Sequence, residues 1–174
     1  AAKHFIVHSG GLVTEVLGTS FEIVKDAQTN KVQVSVVTGK VAVYDTLLAV
    51  KTSPGNKLLK GIVITPNQKI IYNPSNNKYI TSLVDEPQPL AENLDSLQAK
   101  FVFDETYLSE VVQPIEELYG INIEFEKQSL GNCHFTGDIS NFDLYKKLDI
   151  ICQSIRTSYE VRGTTILIKE GNCN

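Results

Sequence analysis

Hydrophobic positions change period once along this chain of 174 residues, and the change divides it. Up to residue 82 nothing repeats at helical spacing. Val32, Val34 and Val36 alternate with polar neighbours, and beyond Thr38-Gly39 the alternation resumes at Val41 and Val43. A period of two belongs to a strand with one face buried. Residues 12–24, LVTEVLGTSFEIV, read as two more β stretches broken at Gly18. Short strands are also predicted over 47–51, 58–64 and 68–72, punctuated by Ser53-Pro54-Gly55 and Pro66-Asn67. Many short strands between turn signals predict an all-β region, a twisted sandwich or a solenoid-like sheet.

Residues 82–100, SLVDEPQPLAENLDSLQAK, have little apolar periodicity and two prolines, the composition of a linker or surface segment. Beyond them the period lengthens. Leu108, Val111, Val112, Ile115, Leu118 and Tyr119 form a helical apolar stripe, with Gly120 where a left-handed C-terminal residue belongs. Pro114 predicts a kink or a shortened first turn. Ile121, Ile123 and Phe125 then alternate as a strand. A second helix is predicted with Leu144, Leu148, Ile151, Cys152 and Ile155 on its buried face and Ser140 with Asp143 as its capping pair. SYEV and TTILIK, around Arg162-Gly163, read as a hairpin. The predicted class is therefore α+β, an all-β region at 1–82, a linker at 83–100 and a small βαβ-βαββ domain at 101–174.

Composition narrows the functions. An apolar fraction of 42% with 21% charged residues is that of a globular protein, and a net charge of −4 offers no basic stripe for nucleic acid. No run is long enough to span a bilayer, and none has the pattern of a signal peptide. The chain begins at Ala1 and contains no Met, which leads us to expect a piece of a larger protein.

Few residues point to chemistry. His4 and His8 flank a strand-like FIV, which separates them by about 13 Å, too far for one metal ion. His134 and Cys133 are strand neighbours facing opposite sides. No G-x-S-x-G elbow and no phosphate loop occur, since Ser9-Gly10-Gly11 lacks a following Lys-Ser/Thr. Glu116-Glu117 and Asp138 with Asp143 are paired carboxylates, but the first pair is predicted on the solvent side of its helix. No catalytic residue, cofactor or metal is therefore expected. The three cysteines leave two readings open. Cys133 with Cys173 could close a 40-residue loop worth about 4 kcal/mol in an oxidising compartment, or all three thiols, including the helical Cys152, could be free. What remains is backbone: the strands at Ile121, Ile123, Phe125 and at Thr165, Leu167, Lys169 are candidate edges for a partner strand, if not already paired internally.

Certain phrases resemble a family. HFIVHSG, VLGTSFEI, VVTGKVAVYD and ITPNQKIIYN are similar to the second half of the FecR-type periplasmic domain. FVFDETYLSEVVQPIEELYGINIEF and FTGDISNFDLYKKLDII resemble the C-terminal domain that follows it in Bacteroidetes anti-sigma factors, itself similar to the short signalling domain of secretins and TonB-dependent receptors. The most specific pieces are Val16–Phe21, Leu118-Tyr119-Gly120 with Ile121, and Phe135-Thr136-Gly137. Members with a cysteine before the Thr-Gly motif often end in Gly-Cys, as Cys133 and Gly171-Asn172-Cys173 do here. The family's cytoplasmic helical region, membrane span and first β-domain strands have no counterpart in this sequence, nor does the Trp common ahead of the C-terminal domain.

The resemblance implies the periplasmic sensor of an inner-membrane anti-sigma factor. Its partners would be the signalling domain of a TonB-dependent outer-membrane transporter and, through the cytoplasmic region, an extracytoplasmic-function sigma factor. First strands lacking partners would pair with a second copy, giving a homodimer. The alternative from another class is a periplasmic glycan-binding module, which needs an aromatic platform.

Overall fold

Alternating valines close a two-layered β unit. The computed structural model describes residues 4–45, 61–90, 99–171 and 173, which fall into two compact units, 1–84 and 85–174. The expected strand at 47–51, the start of that at 58–64 and the Ser53-Pro54-Gly55 turn lie outside the described residues.

In the first unit β1 (His4–Ser9), β2 (Leu12–Leu17), β5 (Val41–Asp45) and β6 (Ile62–Ile64) form one antiparallel sheet, in that order. β3 (Ser20–Lys25), β4 (Val32–Thr38), β7 (Gln68–Asn73) and β8 (Lys78–Leu83) form the other. Leu12, Val16, Val41, Val43 and Ile64 from the first sheet meet Val32, Val34, Val36, Ile70 and Tyr72 from the second in one core cluster. Each fully buried aliphatic side chain contributes about 1.5–3 kcal/mol, so the period of two that marks the strands also supplies the adhesion between layers. Gly39 carries the chain from one sheet to the other at φ 81, where an added Cβ would strike the Thr19 side chain. β1 pairs with β2 along its whole length, His4 opposite Leu17 to Ser9 opposite Leu12. The expectation that the first strands lack partners is corrected, because the Gly10-Gly11 turn folds β1 back onto β2.

The second unit contains two strand–helix–strand passages. The first is β9 (Val102–Tyr107), α1 (Leu108–Tyr119) and β10 (Asn122–Phe125); the second is β11 (His134–Asp138), α2 (Leu144–Ser154), β12 (Tyr159–Arg162) and β13 (Thr165–Ile168). The two passages interlock: β9 pairs with β11 antiparallel, while β10 pairs with β13 parallel and β12 with β13 antiparallel. The fold is thus α+β, with an all-β unit followed by a small two-helix unit.

Three local expectations change. α1 runs through Pro114 from Leu108 to Tyr119 without a shortened first turn, and buries Leu108, Val111, Val112, Ile115, Leu118 and Tyr119. Gly120 ends it at φ 64, its N–H donating to the Glu116 carbonyl at 2.8 Å. α2 is capped by Asp143, whose carboxylate accepts from the Lys146 N–H at 2.8 Å, whereas Ser140 is turned toward Asp138. Asp143 wins because it sits where the first free N–H groups open toward it. Asp143→Ala is expected to cost about 1 kcal/mol, read as a lower urea midpoint; an unchanged midpoint would show the cap to be idle. The segment expected as a linker is partly structured, since Leu83 ends β8 and the Leu90 N–H donates to the Leu118 carbonyl at 2.8 Å within the second unit.

Candidate functional site

The two cysteines that bracket the last strands come together. Cys133, just before β11, and Cys173, beyond β13, form a disulfide with Cα atoms 5.3 Å apart. Polar contacts hold the same tail. Thr157 Oγ1 donates to the Lys169 carbonyl at 2.7 Å, the Glu170 N–H donates to Glu126 Oε2 at 2.8 Å, and Glu170 forms an ion pair with Lys127.

Of the two candidate edges, only one is an edge. β13 lies between β10 and β12, so Thr165 and Leu167 have neighbours on both sides. Lys169 follows the strand, and its N–H donates to the Ser158 carbonyl at 2.8 Å. Thr165, Leu167 and Lys169 are therefore corrected as an open edge. The last strand of the chain could enter the middle because its hairpin partner β12 covers one side and the earlier β10 the other. Ile121, Ile123 and Phe125 do border an edge: β10 is the outer strand of its sheet among the described residues. The Ile121 and Ile123 side chains are buried, anchoring the strand while its outer backbone faces away from β13.

Glu116 is also corrected. It is half-buried rather than on the solvent side, and its Oε1 accepts the Ile123 N–H at 2.7 Å. The helical wheel puts Glu116 near the boundary of the stripe, and only the return of the chain through Gly120 places β10 beneath it.

Sequence reasoning missed Lys147. It is 1% exposed, donates to the carbonyls of Ile139 and Ser140, the latter at 3.0 Å, and has its Nζ 4.4 Å from the centre of the Phe101 ring. Burial lowers its pKa, opposed by the charges of Asp143 and Asp138. Its position was the available signal: Lys147 lies three after Leu144 and four before Ile151, on the buried stripe.

One cysteine and two tyrosines hold their protons more tightly than usual. The Cys152 thiol, buried on α2, is pushed up to about 12, by desolvation first and then Asp149, so it carries no thiolate near neutrality. Tyr119 and Tyr159 are also raised to about 12, mainly by burial, with Asp143 and Asp149 as the respective charges. Their ordinary values are 10.0, and that of cysteine is 9.0. The folded chain keeps these protons where the unfolded chain has lost them. Their stabilisation is thus full below pH 9 and is lost as the pH climbs toward 12. Lys147 opposes this trend, because its lowered pKa makes the fold more stable as the pH approaches its ordinary 10.5. Tyr44 and Tyr145 are raised in the same direction, mainly by burial, so five groups against one predict a urea midpoint that falls between pH 9 and 12. A flat or rising midpoint across that range would contradict the assignment.

The rings of His134 and Tyr107 have their centres 4.5 Å apart and are tilted by 35°. Among the described residues no group of three His, Cys, Asp or Glu side chains is placed to hold a metal ion, and no helix is long and apolar enough to cross a membrane. Two open clefts flank α2: one of about 430 Å³ beside Asp149, Gln153 and Tyr159, the other of about 440 Å³ beside Asp85, Glu86 and Tyr145.

Residues 100–168 match the family model described as FecR, C-terminal. No curated protein matches the chain. Two crystal structures of a candidate anti-sigma factor from Parabacteroides distasonis ATCC 8503 are similar to it at 23% identity. One likeness covers 95% of this chain and 70% of the other with a TM-score of 0.37; the second covers 98% and 72% with a TM-score of 0.40.

Proposed function

We propose that this chain is the sensor part of a FecR-type anti-sigma factor and that its second unit docks a partner protein through backbone. The observation that carries the reading is the pairing of a FecR C-terminal match over residues 100–168 with an open strand edge at β10 in the same unit. In this reading the chain lies in the periplasm, is anchored in the inner membrane, and meets the signalling domain of a TonB-dependent outer-membrane transporter. A sigma factor of the extracytoplasmic-function class sits at the cytoplasmic end. Binding one state of the transporter more tightly than the other would make the module a switch. The Cys133–Cys173 disulfide fits an oxidising compartment.

Calorimetric titration of the chain with the isolated signalling domain of a genetically linked transporter tests the reading. Saturable one-to-one binding is expected; no binding to that domain, together with binding of an oligosaccharide, would overturn it. One observation favours that second reading of a glycan module. The rings of Tyr145 and Tyr159 lie nearly parallel, at 4°, with centres 6.4 Å apart, so two tyrosines distant in sequence make a small aromatic surface beside the clefts.

A further inference from the structure

The outward side of β10 carries its own stopper. The Glu126 N–H donates to the Ile168 carbonyl at 2.9 Å, so with a strand period of two Glu124 and Asn122 also present their backbone groups to β13. Ile123 and Phe125 therefore point theirs to the other side. There the Ile123 N–H meets no strand carbonyl but Glu116 Oε1, at 2.7 Å. The same residue's backbone carbonyl accepts from Gly120 and Ile121, at 2.8 and 3.3 Å, which fixes the end of α1 over the strand and aims the carboxylate. A charged acceptor thus stands where the carbonyl of an added strand would stand. Inward-reaching charged groups are one of the ways sheets block unwanted pairing at an edge.

We propose that Glu116 is a removable guard on β10, and that the edge receives an extended partner segment whose backbone carbonyl replaces the Glu116 carboxylate on the Ile123 N–H. The position of that oxygen argues for the occupant, since a carbonyl in an added strand satisfies the same donor. Charge selects it further. Glu116 stands at the edge and Glu124 lies on the same strand, so the fitting segment carries a lysine or arginine that takes up the displaced carboxylate. The identity of the partner rests on the functional reading above; the guard itself does not.

The test uses the full chain and two variants, Glu116→Ala and Glu116→Gln, with amide exchange read at Ile123 and Phe125. In the free Glu116→Ala chain the Ile123 amide is expected to exchange about tenfold faster or more, because a hydrogen bond to a charged group is lost. Glu116→Gln retains an acceptor and should stay near wild type. Titrated with the transporter signalling domain, Glu116→Ala should bind about tenfold tighter than wild type, since the guard contact outweighs one exposed ion pair to the partner. Wild-type binding should weaken with added salt. Unchanged Ile123 exchange in Glu116→Ala overturns the guard. Binding that leaves Ile123 and Phe125 exchange untouched overturns the edge as the docking site; the sensor assignment then stands on the family match, without its docking through β10. If the signalling domain binds no variant, that reading falls and sedimentation of Glu116→Ala decides the guard. Self-association with Ile123 and Phe125 protected supports it, and a monomer at every concentration overturns it.

Discussion

Lys147→Ala is expected to destabilise the second unit by about 3–5 kcal/mol, the largest effect of any single substitution proposed for this chain. The side chain is 1% exposed and its ammonium donates to the carbonyls of Ile139 and Ser140 while lying over the Phe101 ring. Truncation leaves those two carbonyls without their donor and opens a cavity the length of a lysine stem. Lys147→Met separates the two contributions. It keeps most of the stem's volume and removes the cost of burying a cation, so only the lost hydrogen bonds remain, at about 1–2 kcal/mol. Calorimetric unfolding of the full chain checks the pair, with the lower-melting transition assigned by tyrosine signals. If Lys147→Ala and Lys147→Met melt together, or either melts with wild type, the buried ammonium has no such role.

Replacing both Cys133 and Cys173 with serine, or reducing the bridge, is expected to lower stability by about 4 kcal/mol. The loop closed is 40 residues in sequence separation, and the cross-link acts mainly on the unfolded chain. For a unit of 60–100 residues each kcal/mol is about 4–8 °C of melting temperature, so the loss is large by calorimetry. The folded tail should keep its place, because Thr157 and Glu126 still hold Lys169 and Glu170. Alkylation in denaturant gives the matching chemical result: one reactive thiol, Cys152, in the oxidised chain and three after reduction. Three without reductant would remove the bridge, and a serine pair melting with wild type would remove its energetic role.

Local order was legible wherever one residue's role follows from its near neighbours. The alternation at Val32, Val34 and Val36 and the stripe from Leu108 to Tyr119 reappear as the buried faces of β4 and α1. Gly120 was legible for the same reason, since only a left-handed residue ends that helix before Ile121. The cap of α2 was misplaced by three residues, from Ser140 to Asp143, because both are good caps and the choice depends on where the helix axis enters.

Pairing across the chain was not legible. Ile121–Phe125 and Thr165–Lys169 read alike as short apolar strands, yet β10 is outermost and β13 central. Which strand lies inside depends on the interlocking of two passages more than thirty residues apart, and no window of ten residues contains that. Lys147 was hidden by its own charge, since polar residues on a stripe are ordinarily read as its boundary. Its acceptors, Ile139 and Ser140, become acceptors only once the turn before α2 folds under the helix.

By itself, then, the sequence determined the α+β class, the periods of its strands and helices, and the resemblance that the FecR C-terminal match upholds for residues 100–168. Those properties rest on the intrinsic repeat of strand and helix, which is written at spacings of two to four residues. Tertiary structure alone decided which edge stays open, that Glu116 stands across it, that an ammonium lies over the Phe101 ring, and that Cys133 meets Cys173. Each depends on groups far apart in the chain arriving within hydrogen-bonding or covalent reach, and only the packing of the whole unit sets those distances.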